Sequence, residues 1–234
     1  MNDPRWDAVF WDIGGVILSL ESVQRAHGAF VDALCEQVSC RGDTEDALDR
    51  WRAVVGEYFA EREEMAFRPA REGYDRAVRE IVDGESTDVE WRPLLHDVLA
   101  RTIEPNDGAV ATVRALQEGP WHVGVISDVD HDEGERILAT FDVLDGFDSV
   151  TTSEAVGRTK PHPEMFETAL AEAGVEPDEA VMIGDRYRND MEGAKQVGMT
   201  TIASGADDGP AVDYRVSSLD DVLEILGGDR RPDQ

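Results

Sequence analysis

Lysine is almost absent from this 234-residue chain. Lys160 and Lys195 are the two lysines among 22 basic residues, whereas Asp and Glu number 51, and the net charge is −29. Such a charge argues against nucleic acid and anionic membrane surfaces as partners, because both would be repelled. The acidic residues are spread along the whole chain, and only molar salt, with a Debye length of roughly 3 Å, would screen their repulsion. The composition therefore favours a protein of a salt-rich cytoplasm over an ordinary acidic cytosolic protein.

Cysteine and long apolar runs are also scarce. Cys35 and Cys40 are too few and too close for a disulfide framework, and no Cys and His cluster has zinc-site spacing. We therefore expect both thiols to be reduced and partly buried. The N-terminal segment lacks an apolar signal region, and no stretch approaches the roughly 20 apolar residues of a membrane span. These absences predict a soluble, cytoplasmic protein.

Three short apolar runs end in an aspartate, and together they predict a ligand site. The runs are residues 8–11 before Asp12, 123–127 before Asp128 and 180–184 before Asp185. Runs of this kind are typical of strands buried on both faces of a parallel sheet, which binds ligands beyond the carboxyl ends of its strands. Carboxylates gathered at one edge repel each other unless a cation offsets them. The pattern therefore predicts a metal site.

The region between the first two predicted strands is helical in character. Apolar residues recur there at helical spacing in four segments, without a strand pattern. Helices without strands do not belong to a sheet layer, so residues 18–103 are predicted to form an inserted α-helical cap domain. Residues 1–17 and 104–234 then form the α/β core domain, and Pro105 and Gly108 mark the return to it.

After that return, predicted helices and strands alternate. Strands are predicted at 122–127, 148–152, 180–184, 200–203 and near 214–216, and helices at 107–118, 132–140, 163–173, 190–197 and 219–226. This alternation predicts an α/β fold with a doubly wound, Rossmann-like parallel sheet. The segment from Gly227 to Gln234 is predicted to be a frayed tail.

Two loops add charged side chains to the predicted strand ends. Lys160 precedes a Pro-His-Pro sequence, and a proline in a first helical turn marks a helix start. We interpret Lys160 as a cation that neutralises phosphate oxygens and an Asp nucleophile; a solvated loop cation is the alternative. The last loop runs from Asp185 to Asp190, and oxygen ligands without His or Cys suit Mg²⁺. Asp190 or Asn189 could instead cap the following helix.

Small residues complete the set of candidates. Gly14 and Gly15 follow Asp12 directly and let the chain turn sharply while a ligand approaches the main chain. Ser127 places a hydroxyl at the end of the second strand, where it could donate to a phosphate oxygen; an ordinary strand-terminal serine is the alternative.

In this order and spacing, the residues resemble the haloacid dehalogenase superfamily of hydrolases, most of whose members are phosphatases. The resemblance covers the whole predicted core. It rests on Asp12 in Val-Phe-Trp-Asp-Ile-Gly-Gly-Val, Ser127 in Val-Ile-Ser-Asp, Lys160 in Arg-Thr-Lys-Pro-His-Pro-Glu-Met-Phe, and Asp185 and Asp190 in the last loop. The helical insertion is similar to the family's cap after the first motif, which covers the active site and selects the substrate.

The resemblance implies a Mg²⁺-dependent phosphatase acting on a small phosphorylated metabolite. Asp12 would be the nucleophile, forming an aspartyl-phosphate that water then hydrolyses. Mg²⁺ would be bound by the Asp12 carboxylate, the Gly14 carbonyl and Asp185, with Asp190 farther out or ligating through water. The phosphoryl oxygens would be held by Ser127 and Lys160.

The chain departs from the family pattern at two positions. Phosphatases of the family usually carry an Asp two residues after the nucleophile, and here that position is Gly14. Loss of a general acid and base typically lowers the rate about 10²–10⁴-fold. Position 128, often Asn in relatives, is Asp, and Asp128 is a further candidate contact to substrate.

Two other functions use the same residues. A 2-haloacid dehalogenase would attack carbon with Asp12 and would need neither a metal nor the carboxylates of the last loop. A catalytically weak binding or regulatory protein would keep the fold and the metal site, and Gly14 favours it. Substrate choice depends on the cap, where candidate contacts are Arg25, Arg52, Tyr58 and Arg62; for the arginines, an ordinary surface position is an equally good alternative. The assembly is predicted to be a monomer or a homodimer.

Overall fold

This computed structural model describes residues 6–83 and 90–227. The described residues form two compact units, one within Met1–Leu18 and Pro105–Gln234 and the other within Ser19–Glu104. The N-terminal segment up to residue 5 and the predicted frayed tail beyond Gly227 lie outside the described residues.

A six-stranded sheet organises the first unit. Its strands are β1 (Ala8–Trp11), β2 (His122–Ser127), β3 (Ser149–Thr152), β4 (Ala180–Gly184), β5 (Thr200–Ser204) and β6 (Tyr214–Val216). They lie in the order β3-β2-β1-β4-β5-β6, and every neighbouring pair is parallel. This is the strand order of the doubly wound Rossmann fold, so the predicted fold class is confirmed.

The central strand β1 is apolar because both of its faces are covered. Ala8 and Phe10 lie in a buried cluster with Met165 and Phe166. Val9 and Trp11 alternate with them and are also fully buried. Side chains of a strand point to opposite faces in turn, so burial of all four places β1 inside the layered core.

Four helices form the unit within Ser19–Glu104. They are α1 (Leu20–Gln37), α2 (Thr44–Ala60), α3 (Ala70–Ile81) and α4 (Trp91–Thr102). The side chains of Ser19 and Asp43 cap the first two helices by accepting hydrogen bonds from backbone N–H groups. Aromatic rings contact one another between the helices, among them Phe30, Trp51 and Trp91.

The predicted substrate contacts of this unit all have partners within it. Arg25 pairs with Glu21 and Glu104, Arg52 pairs with Asp49, and Arg62 lies over the Phe59 ring. Tyr58 is 1% exposed, and its hydroxyl donates to Glu72. Burial leaves Tyr58 almost no surface for a ligand, so its side chain contributes to packing instead.

The prediction of two reduced thiols is wrong, because Cys35 and Cys40 form a disulfide. Cys35 lies in the last turns of α1, and Cys40 pairs with Val82 in an isolated antiparallel bridge just beyond the helix. The chain reverses after α1 and brings the two Cα atoms to 5.4 Å, within the range of a disulfide. The short separation argues against a framework of several disulfides but not against one local crosslink.

Helices of the first unit flank the sheet. They are α5 (Ala109–Gln117), α6 (His131–Thr140), α7 (Ser153–Val156), α8 (Pro163–Ala173), α9 (Gly193–Val197) and α10 (Asp221–Gly227). The predicted helix start after Lys160 is confirmed: the His162 side chain caps α8, and Pro163 stands in its first turn. Within residues 6–83 and 90–227, no helix is both long and apolar enough to cross a bilayer.

Candidate active site

The carboxyl ends of three adjacent strands bring the predicted site residues together. Trp11 at the end of β1 is in register with Val125 of β2 and Ile183 of β4. The backbone N–H of Asp12 donates to the Ile183 carbonyl at 3.0 Å, which extends the pairing by one residue. The chain passes from β1 to β2 and β3 on one side of β1 and then crosses to β4 on the other side, so this edge is the switch point where doubly wound sheets bind ligands.

The Asp12 carboxylate is held through one oxygen. Its Oδ1 accepts hydrogen bonds from the Ser127 hydroxyl at 2.7 Å and from the Ile13 backbone N–H at 2.8 Å. The ammonium of Lys160 lies 3.1 Å from the same oxygen. Among the described residues, no hydrogen bond reaches Oδ2. One carboxylate oxygen is therefore fixed, and the other is left for chemistry.

Lys160 is buried in the middle of the acidic cluster, with 3% of its surface exposed. Its Nζ contacts Asp12, lies 2.6 Å from Oδ1 of Asp190 and donates to the Ile126 carbonyl at 2.9 Å. Two carboxylate oxygens and one carbonyl oxygen thus surround the buried ammonium group. The alternative of a solvated loop cation is wrong.

Three carboxylates of this edge could hold a metal ion. Oxygen atoms of Asp12, Asp185 and Asp190 all lie within 4.8 Å of one another. Oδ1 of Asp185 is buried and has no hydrogen-bond partner among the described residues. A buried carboxylate oxygen without a partner is costly unless a cation satisfies it, so the donor set fits a hard divalent ion.

The pKa values follow the crowding of these carboxylates. Burial raises the pKa of Asp12 from 3.8 to about 7; Lys160 opposes this rise, and Asp190 adds to it. Burial and the Asp190 carboxylate also raise the pKa of Asp185. Burial lowers the pKa of Lys160, but Asp12 and Asp190 together hold it above its ordinary value. Lys160 alone does not neutralise the carboxylates of the site. A bound cation would supply the missing positive charge.

The two predicted glycines differ in their surroundings. Gly15 has a φ of +84°, and a Cβ added there would lie 2.0 Å from Oδ2 of Asp185. Only glycine fits against that carboxylate. Gly14 is half-buried and is not among the glycines with positive φ. A side chain at position 14 is therefore compatible with the backbone.

Asp190 does not cap α9, so the alternative role of a helix cap is wrong for this residue. It lies inside a π-helical turn, Tyr187–Glu192. The α-helix predicted at 190–197 begins only after this turn, as α9 at Gly193. Oδ2 of Asp190 accepts a hydrogen bond from the Arg186 backbone N–H at 2.9 Å, and Oδ1 contacts Lys160. The wider turn directs this fully buried carboxylate back toward the sheet edge.

Asp128 holds two of the site's loops. Its Oδ1 accepts a hydrogen bond from the Lys160 backbone N–H at 2.8 Å, and its Oδ2 lies 3.4 Å from Nδ2 of Asn189. The structure thus gives Asp128 a positioning contact that the sequence did not reveal. The predicted contact of Asp128 with substrate stays a prediction.

The sequence also did not reveal Asn106 as a residue of the site. Asn106 donates to main-chain carbonyls of the loop after Asp12. It lies 94 positions from Asp12 in the printed numbering. No local pattern links the two segments, so only the folded chain reveals the contact.

Comparisons with known proteins identify relatives of this chain. The sequence model of the haloacid dehalogenase-like hydrolase family matches residues 6–198 of this chain. A glyceraldehyde 3-phosphate phosphatase of Pyrococcus furiosus is 32% identical over 127 residues, which are 51% of this chain and 53% of that protein. A haloacid dehalogenase-like hydrolase domain-containing protein 3 of Mus musculus is 27% identical over 81% of this chain and 78% of its own length. The chain thus spans about half the length of the first of these relatives.

Solved structures share the fold. A HAD phosphatase from Thermococcus onnurineus has a TM-score of 0.74 and 26% identity, covering 96% of this chain and 99% of that one. The putative HAD-hydrolase YfnB from Bacillus subtilis has a TM-score of 0.73 and 18% identity, covering 95% and 99%. The family match over most of the chain decides the classification: the protein belongs to the haloacid dehalogenase-like hydrolases.

Proposed function

We propose that this protein is a Mg²⁺-dependent phosphatase that hydrolyses a small phosphorylated metabolite through an aspartyl-phosphate on Asp12. The observation that carries the proposal is the asymmetry of the Asp12 carboxylate. Oδ1 is held by Ser127, Ile13 and Lys160, whereas Oδ2 has no hydrogen bond to a described residue. A carboxylate oriented through one oxygen can attack with the other.

The proposed reaction has two steps. Oδ2 of Asp12 attacks phosphorus, the bond to the leaving-group oxygen breaks, and the leaving group departs with that electron pair. Water then attacks the aspartyl-phosphate, releasing inorganic phosphate and restoring the carboxylate. Lys160 offsets the repulsion between the carboxylate and the phosphate. Ser127 rotates its hydroxyl from Asp12 toward a phosphoryl oxygen, a motion that leaves its oxygen in place.

Mg²⁺ is the proposed cofactor, bound by Asp12, Asp185 and the Gly14 carbonyl. When bound, it would neutralise charge on the phosphate and on the acidic cluster. Asp190 would act through its contact with Lys160 or through a water molecule. The unpartnered Oδ1 of Asp185 and the all-oxygen donor set support this proposal. The solved structure of YfnB is described as bound to magnesium.

The substrate class follows from what position 14 lacks. Gly14 has no carboxyl group to protonate a leaving group, so we propose acyl, aryl or anomeric sugar phosphates, whose leaving groups need little protonation. A proton from water or from a cap residue would extend the range to alkyl phosphates at lower rates. The names of the archaeal relatives place glyceraldehyde 3-phosphate in the first test panel.

The test is a phosphate-release screen over phosphorylated metabolites with Mg²⁺ in molar KCl. We expect turnover that EDTA abolishes, with aryl phosphates hydrolysed faster than alkyl phosphates. Equal rates for leaving groups of different pKa would contradict the role given to Gly14. Stabilisation by Mg²⁺ without turnover of any substrate would favour the binding or regulatory alternative. Chloride release from 2-chloropropionate in EDTA would favour the dehalogenase.

Asp128 offers a sharper test of how Lys160 is positioned. Asp128→Ala removes the acceptor of the Lys160 backbone N–H, so we expect kcat to fall roughly 10-fold with KM nearly unchanged. Asp128→Asn keeps an acceptor oxygen and removes one negative charge, so its kcat should stay close to that of the wild type. If Asp128→Ala instead raises KM at constant kcat, the predicted contact with substrate is correct.

The setting of the protein is proposed from its charge alone. With a net charge of −29, we propose a salt-rich cytoplasm and a small-molecule substrate as the partner, without nucleic acid or membrane. The assembly is proposed to be a monomer or a homodimer.

A further inference from the structure

We propose that Asn106 is a positioning residue that holds the loop after Asp12 in the geometry that metal binding and attack require. The inference rests on the proposed function for its catalytic consequence. Its structural basis, a side chain bound to two consecutive carbonyl groups of that loop, is independent of the reaction.

The contacts of Asn106 are directed at one segment. Its Nδ2 donates to the carbonyl oxygens of Gly15 and Val16, at 2.9 Å each. Its backbone N–H donates to the Ile17 carbonyl, also at 2.9 Å. Three consecutive carbonyl groups of the loop are thus bound by a single residue.

The amide chemistry matches this task. A primary amide nitrogen carries two protons, and the two carbonyl groups use both of them. A carboxylate of the same shape has no proton to donate and would place negative charge against two carbonyl oxygens. Asn106→Asp therefore tests the donors without changing the size of the side chain.

Other contacts also hold the loop: Ile13, Val16 and Ile17 are almost fully buried, and Leu18 forms an isolated antiparallel bridge with Pro105. The Gly15 N–H donates to the Leu18 carbonyl, and the N–H groups of Ile17 and Leu18 both donate to the Ile13 carbonyl. These bonds close the loop on itself, whereas Asn106 ties it to the segment leading into α5. Apolar packing is non-directional, so it does not fix the orientation of the Gly15 and Val16 carbonyl groups as the Asn106 amide does.

The position of this loop matters because Gly15 is pressed against Asp185. A Cβ at Gly15 would lie 2.0 Å from Oδ2 of Asp185, so the backbone and the carboxylate approach closely. The loop follows Asp12 and contacts Asp185 through Gly15. A small displacement of the loop would therefore change the distance between the two carboxylates. Misplacement of reacting groups by about 1 Å can lower a rate on the order of 10²-fold.

Gln117 supplies a matched control. Its side-chain amide also donates to a main-chain carbonyl, that of Val143, at 3.0 Å, but it belongs to α5 and to none of the site's contacts. Gln117→Ala removes one amide-to-carbonyl hydrogen bond within the same unit and should leave kcat unchanged. Comparison with Gln117→Ala therefore separates the specific effect of Asn106 from the general loss of stability caused by removing an amide-to-carbonyl hydrogen bond.

The experiment compares Asn106→Ala, Asn106→Asp and Gln117→Ala in the full chain. Hydrogen exchange of the Gly15 and Leu18 amides is measured without metal or substrate. It should accelerate about 10-fold in both Asn106 variants and stay unchanged in Gln117→Ala. The Mg²⁺ concentration for half-maximal thermal stabilisation should rise about 10-fold, and kcat should fall about 10-fold at nearly constant KM.

Unchanged exchange in the Asn106 variants, or exchange equal to that of Gln117→Ala, would overturn the proposal. So would accelerated exchange without any change in the response to Mg²⁺. Failure of the proposed function looks different: the wild type itself would release no phosphate, while the exchange rates would still decide the role of Asn106.

Discussion

Asp12→Asn should abolish phosphate release, with a loss of at least about 10⁴-fold under Mg²⁺ in molar KCl. The amide keeps the shape of the side chain and can still accept hydrogen bonds from Ser127 and Ile13, which hold Oδ1 at 2.7 and 2.8 Å in the wild type. It lacks the charge and the nucleophilic oxygen on which the aspartyl-phosphate would form. A phosphate-release assay with a good leaving group measures the difference.

The same variant should be more stable than the wild type when no metal is bound. Burial raises the pKa of Asp12 from 3.8 to about 7 in the folded protein. Between these values the folded state keeps a proton that the unfolded state has lost, so wild-type stability falls as pH rises through this window. Asn does not titrate, so its advantage should be small near pH 4 and grow to on the order of 4 kcal/mol at pH 8, because each unit of pKa difference is worth about 1.4 kcal/mol.

Thermal unfolding in EDTA and molar KCl, at several pH values, measures this advantage. A stability difference that stays constant between pH 4 and pH 8 would contradict the buried carboxylate described here. Phosphate release by Asp12→Asn at the wild-type rate would exclude Asp12 as the nucleophile, whatever the stability result.

Gly14→Asp should raise activity on alkyl phosphates by about 10–10²-fold, within the range ascribed to general acid catalysis. A carboxyl group at this position would stand close to Asp12 and the other carboxylates, which would raise its pKa and favour the protonated form that an acid needs. Aryl phosphates should gain much less, because their leaving groups depart without a proton. The ratio of alkyl to aryl rates is the measurement.

The backbone permits this substitution at position 14 and forbids it at position 15. Gly14 is not among the glycines with positive φ, whereas Gly15 has a φ of +84° and no room for a Cβ beside Asp185. Gly14→Asn is the control, since it has the same shape and cannot act as an acid. A gain in both variants, or an unchanged ratio of rates in Gly14→Asp, would contradict the proposal that a missing acid limits the enzyme.

The strand ends could be read from the sequence because their physical signal is local. The run 8–11 before Asp12 is apolar at every position, and the structure buries all of it in the centre of a parallel sheet. In such a sheet every strand points the same way, so residues that follow separate strands meet at one edge. Asp12, Ser127 and Asp185 could therefore be grouped from the sequence alone.

Contacts between distant segments could not be derived in this way. Cys35 and Cys40 form a disulfide because the chain reverses after α1, and the spacing alone did not reveal that reversal. Asp190 faces Lys160 because the turn before α9 is wider than an α-helical turn, whereas its sequence resembles an ordinary helix start. Both outcomes depend on backbone geometry over a few residues, which composition does not encode.

Local sequence patterns were enough to predict the class of the fold, the edge of the sheet that carries the site and the residue types gathered there. The contacts of each side chain become visible only in the folded protein: Lys160 pairs with Asp12 and Asp190, Asp128 binds the Lys160 main chain, and Asn106 binds the loop after Asp12. Periodicity follows from the local alternation of buried and exposed positions. Hydrogen bonds depend on distances of a few ångströms between segments far apart in the chain, and these distances exist only after folding.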